Sequence, residues 1–102
     1  MLSTELQHVT LNAPSRLVAD TRLEFRRASL EHLERILVAN ATRIVVDLTG
    51  TVEIDASGLG VLVLLQKRAR ERMVAVRLRR ASLGVQQMLE LTKLEYLFEM
   101  ED

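Results

Sequence analysis

The chain has 102 residues, 48% of them apolar, with 14 basic against 14 acidic side chains and no cysteine. That size suits one domain with a modest core; the charge balance excludes a general attraction to nucleic acid or anionic lipid, and the absent cysteines exclude disulfides and thiolate chemistry. No apolar run nears the roughly 20 residues that cross a bilayer, and Met1-Leu2-Ser3-Thr4-Glu5 lacks the basic and apolar segments of a signal peptide, so a cytoplasmic domain without membrane insertion is expected.

Leu6 to Leu11 alternates as a short strand, which Asn12-Ala13-Pro14-Ser15 ends because Pro14 has no N–H to give a ladder. A helix then starts near Asp20 or Thr21, where Thr21 and Glu24 have capping-box spacing. Leu23, Leu30, Leu33 and Leu37, joined by Ile36, fall on one side of it, and Asn40 supplies a stop. Arg43 to Leu48 reads as the central strand, β-branched on both faces and so covered on both.

From about Ser57 to Glu71 the pattern is helical, with Val61 to Leu65 as an unbroken apolar run and Lys67 to Arg72 as a solvated end. Met73 to Leu78 alternates as a strand, with Val74, Val76 and Leu78 on one face. Ser82 is placed to cap a third helix whose face is Val85, Met88, Leu89 and Thr92. Tyr96-Leu97-Phe98 reads as a brief last strand before an acidic tail, Glu99 to Asp102. Strands alternating with helices predict an α/β fold over residues 1–102, with a mainly parallel sheet reached by right-handed crossovers.

The chemistry concentrates in Asp55-Ala56-Ser57-Gly58-Leu59-Gly60. A hydroxyl at the start of a buried helix lies where the dipole and free N–H groups favour an anion, so it is well placed to carry a phosphate. The plainer alternative makes Ser57 the helix N-cap. Gly58 and Gly60 weaken that alternative, because glycine is a poor choice for a first turn and leaves the hydroxyl accessible. Asp55 is placed to orient the hydroxyl or to touch a partner.

A serine hydrolase is the weakest reading, because position 55 is aspartate where the nucleophile elbow needs glycine. His8 and His32 read as solvated bystanders with no metal-ligand spacing, so neither metal nor cofactor is expected. Asp47 reads as a strand-end turn residue. The arginines from Arg68 to Arg72 and at Arg77, Arg79 and Arg80 lack the aromatic partners of a nucleic-acid surface.

Val45 to Leu62, V-V-D-L-T-G-T-V-E-I-D-A-S-G-L-G-V-L, resembles the signature of the STAS domain family of sulfate transporters and anti-sigma-factor antagonists. Arg80 to Leu97, with Leu91-Thr92-Lys93-Leu94, is similar to that family's closing helix and strand. The resemblance implies a four-to-five-stranded sheet with helices mostly on one side. It implies a non-enzymatic partner switch in which an ATP-dependent anti-sigma kinase phosphorylates Ser57 and a phosphatase resets it. Asp55, Ala56, Gly58, Leu59 and Gly60 would lie in the contact surface.

Two features depart from the family pattern. The family commonly opens with two strands, where one is legible here. Its first helix usually follows a G-E-x-D-like turn, where this chain has Asn12-Ala13-Pro14-Ser15-Arg16. The altered loop gives weight to an alternative implied by the same resemblance, a subunit regulating an ABC-type transporter ATPase.

Overall fold

The computed structural model describes residues 8–101. In chain order it runs β1 (His8–Asn12), β2 (Arg16–Leu17), α1 (Arg22–Ala39), β3 (Arg43–Asp47), β4 (Glu53–Ile54), α2 (Ala56–Glu71), β5 (Ala75–Arg79), α3 (Leu83–Thr92), a 3₁₀ turn (Glu95–Leu97) and β6 (Glu99–Glu101). Leu6, where the first strand was expected to begin, lies outside the described residues.

Strands β1, β3, β5 and β6 form one parallel sheet in that order. Strand order follows chain order, so each right-handed crossover sets its helix on the same face. Ile44, Val46, Val76 and Leu78 meet Leu33, Ile36, Leu62, Leu65, Val85 and Leu89 of the helices in one core cluster. A fully buried leucine such as Leu62, Leu65 or Leu78 contributes about 1.5–3 kcal/mol against exposure. The expected α/β class, parallel sheet and one-sided helices are all present.

Among the described residues no helix covers the opposite face; ion pairs do. Arg43 lies opposite the small Ala75 in register and reaches across it to Glu99, Nε to Oε1 at 2.7 Å. Arg77 stands 3.2 Å from Glu99 and 3.5 Å from Glu101, and Arg79 stands 3.3 Å from Glu101. Val45, buried yet outside the main cluster, lies on this face opposite Arg77 of β5 and two residues from Arg43. The hydrogen bond from Arg43 holds the Glu99 carboxyl below its ordinary range. The expected double cover of β3 is therefore real but made in two ways.

Several local expectations need correction. Thr21 flanks α1 without a side-chain cap bond, because its hydroxyl instead donates 2.6 Å back to the Arg16 carbonyl and accepts from the Val18 N–H at 3.1 Å. The buried stripe of α1 is Phe25, Ser29, Leu33 and Ile36, while Leu23 is exposed and Leu30 half-buried; the Leu37 side chain is outside the described set. The last strand is Glu99–Glu101 rather than Tyr96–Phe98, which forms the 3₁₀ turn and its end. Glu99 to Glu101 of the acidic "tail" are thus paired structure, and Asp102 lies outside the described residues. Asn40, in the left-handed region at φ 56°, and Ser82, accepting from the Val85 N–H at 3.3 Å, end and cap their helices as expected.

Candidate functional site

The segment leading to Ser57 is built as a staple between two loops. Asp47 ends β3 and accepts from the Thr49 N–H at 2.9 Å and from the Thr49 hydroxyl, which holds its carboxyl below the usual range. This is the strand-end turn role expected of it. Thr51, almost wholly buried, donates from its hydroxyl to the Pro14 carbonyl at 2.8 Å. The Val52 N–H follows to Ser15 O at 2.8 Å, and the Asp55 N–H to Leu17 O at 3.2 Å. Between them β2 pairs with β4 in parallel, Arg16 opposite Glu53 and Leu17 opposite Ile54. The loop before α1 is therefore laced along the chain that enters α2.

Asp55, not Ser57, is the N-cap of α2. Its backbone is extended, Oδ1 accepts from the Gly58 N–H at 2.9 Å, and Oδ2 accepts from the Ala19 N–H at 3.1 Å. The bond from Gly58 is the main reason that its carboxyl is held below the ordinary aspartate range. One carboxylate thereby caps the helix and ties down the loop before α1. The plainer alternative for Ser57 falls, because the capping position is already filled.

Ser57 is the second residue of α2, half-buried, and its hydroxyl makes no hydrogen bond among the described residues. Neither histidine is engaged with it: the His32 Nδ1 is bonded to the Ala28 carbonyl at 2.8 Å.

The residues expected to make a contact surface with Ser57 divide. Ala56 and Gly60 are exposed and Asp55 is half-buried, whereas Gly58 and Leu59 are buried. Leu59 packs into the core, and a Cβ on Gly58 would meet the Leu17 carbonyl oxygen at 1.9 Å. Gly58 thus serves the close approach of β2 within the chain, and Leu59 the core, rather than offering side-chain surface to a partner. Around Gly60 a Cβ would meet nothing within 4 Å.

Ser57 and Gly60 lie in a groove of about 330 Å³ between the helices, walled by Val61 and Leu64 of α2 and by Arg22, Leu23 and Arg26 of α1. Leu23 read in the sequence as part of the core stripe of α1, and Arg22 and Arg26 carried no signal, because the face the three form exists only once α1 packs beside α2. Leu23 is 65% exposed, Val52 81% and Leu83 74%. All three sit on segments leaving the carboxyl ends of the parallel strands, as Ser57 does.

A family model described as "Mlab, STAS domain" matches residues 1–99. The chain belongs to the STAS domain family. No curated protein sequence matches it significantly. Among solved structures, this STAS domain is similar to a Thermotoga maritima protein described as an anti-sigma factor antagonist. The TM-score is 0.80 at 23% identity, covering 94% of this chain and 80% of the other. It is also similar to a sulfate transporter family protein of Wolinella succinogenes, with TM-score 0.78, 16% identity and coverage of 95% and 78%. The Bacillus cell fate determinant SpoIIAA in its phosphorylated form gives TM-score 0.68 at 13% identity, over 98% of this chain and 86% of that one. At these identities the likeness establishes the shared fold. Among the described residues no helix is long and apolar enough to cross a membrane.

Proposed function

We propose that this STAS domain is a partner-switching regulator of the anti-sigma-factor-antagonist type, itself no enzyme and acting in the cytoplasm. Its unmodified form binds an ATP-dependent anti-sigma serine kinase, phosphorylation of Ser57 breaks that complex, and a phosphatase restores it. The observation that carries this reading is the free hydroxyl of Ser57, placed at the second position of a helix whose cap is supplied by Asp55. A serine spared from capping, half-exposed beside exposed Ala56 and Gly60, is open to modification without cost to the helix end. The similarity to SpoIIAA, which has a phosphorylated form, agrees with it.

Phosphate brings about −1.5 to −2 charges to a surface that had met its partner with a neutral hydroxyl. A tenfold loss of affinity needs only about 1.4 kcal/mol, within reach of one misplaced charge.

A second reading rests on a specific observation. The loop Asn12 to Arg16 has neither the glycine nor the acids of a kinase-facing turn, and its backbone is engaged with Asp47, Thr51 and Val52. In that reading the domain regulates an ABC-type transporter ATPase and Ser57 stays unmodified; the similarity to a sulfate transporter family protein agrees.

Both readings are tested by a pull-down from native lysate with wild type and Ser57→Asp as baits, alongside intact-mass analysis of the endogenous protein. The switch predicts a serine-kinase ATPase on wild type only, with phosphate traced to Ser57. An ABC ATPase held equally by both baits, with no phosphate found, overturns the switch in favour of the second reading.

A further inference from the structure

We propose that Arg22 and Arg26 form an intramolecular receiving site for a phosphate carried on Ser57. The proposal rests on the reading of Ser57 as a modified hydroxyl and adds what holds the phosphate once it is there.

Arg22, Arg26 and Ser57 line one groove, with Gly60 beside them. Four residues apart on α1, the two arginines lie on one helical face and point their guanidinium groups to the same neighbourhood. Both are exposed, and among the described residues neither makes an ion pair, in contrast with Arg16, Arg43, Arg77 and Arg79. Their fork of N–H donors matches the oxygens of a phosphate better than a lysine's point charge does.

Helix stability does not account for Arg22. It is the first residue of α1, where the macrodipole favours anions and a cation is the poorer choice. A phosphate across the groove turns that unfavourable placement into a favourable one. Gly60, too, lacks a packing reason, since a Cβ there would meet nothing within 4 Å. Its missing side chain leaves space between the arginine wall and α2.

The charges also balance. Two guanidinium groups against about −1.5 to −2 on the phosphate leave the groove close to neutral. Modification then changes the groove from cationic to neutral while the fold is kept, and any acidic group of a partner that met the arginines loses them.

The test installs phosphoserine at position 57 during synthesis and follows the second phosphate ionisation by ³¹P NMR across pH. In the otherwise wild-type protein it should lie below the value of about 6 for a free phosphomonoester. In Arg22→Gln/Arg26→Gln it should rise by roughly one pH unit. Arg26→Gln alone should give a smaller rise of the same sign. Arg27→Gln/Arg35→Gln, exposed residues outside the groove with the same loss of charge, should leave it nearly in place. Melting of the unmodified variants close to wild type confirms that they fold. Equal titration in all backgrounds, or an equal rise from both double variants, overturns the proposal. The phosphate is installed without a kinase, so this outcome is independent of whether Ser57 is modified in the cell; unmodified endogenous protein would instead refute the switch.

Discussion

A methyl group on Gly58 would stand 1.9 Å from the Leu17 carbonyl oxygen and 2.6 Å from its carbonyl carbon. Neither atom can swing aside as a side chain would, because Leu17 is paired with Ile54 and its carbonyl accepts the Asp55 N–H. Two residues on, Gly60 faces open space. Alanine at the two positions should therefore act in opposite directions. Gly58→Ala must push β2 away from α2, an overpacking cost of about 2 kcal/mol or more, and should lower Tm by roughly 10 °C. Gly60→Ala adds no clash and gains about 1 kcal/mol of helix propensity, raising Tm by roughly 5 °C. Melting curves of the two variants decide it; equal signs would show that the Gly58 contact is not tight. If the groove is used by a partner or a phosphate, the more stable Gly60→Ala protein should also be the poorer binder.

At the scale of elements, the staple of β2 against β4 joins the loop before α1 to the start of α2. Thr51 is central to it, because its buried hydroxyl is the donor for Pro14 O. Thr51→Val keeps the shape and removes that donor, at a cost of about 1–2 kcal/mol. Hydrogen exchange should then speed up at the Val52 and Asp55 N–H groups, which bond Ser15 and Leu17, more than in β3. A uniform change across the molecule would show that the two loops are not a separate unit.

The staple was not legible in the sequence, because two-residue strands show no periodicity and the pairing is long-range. For a similar reason the capping box at Thr21 misled: the spacing was right, but the hydroxyl found the Arg16 carbonyl, a partner brought near by the staple. The Leu-based stripe of α1 was only partly right, since the true face also includes Phe25 and the buried Ser29. Where local periodicity and burial agree, as in β3, α2, β5 and α3, elements were placed to within a residue or two. Ser57 and its exposed neighbours were legible from their unusual residue types. Arg22 and Arg26 were not, since only the packing of α1 on α2 brings them to the same groove.

At the scale of the whole molecule, the sheet has two unlike faces, an apolar one under three helices and a charged one. Glu99 ties three strands of the charged face together: it stands on β6, pairs with Arg77 of β5, and receives Arg43 from β3. The Glu99 side chain is 40% exposed, so solvent screens its pairs and Glu99→Gln should cost on the order of 1 kcal/mol at neutral pH and low salt.

The pH dependence follows from the direction of the shift. Glu99 is held below its ordinary value of 4.5, first by the Arg43 hydrogen bond. Its charged form is thus favoured by folding, and the contribution is fully present above the ordinary value. It is lost as pH falls through the lower folded value, where both states take up the proton. Tm of wild type and Glu99→Gln, measured from neutral to acid pH in low salt, should differ by about 5 °C at pH 7 and converge in acid. Salt should narrow the neutral-pH gap as well. A gap that persists unchanged to about pH 2, below ordinary carboxylate values, would mean that the amide disturbs the face for a reason other than the lost charge, and would overturn the ion-pair account.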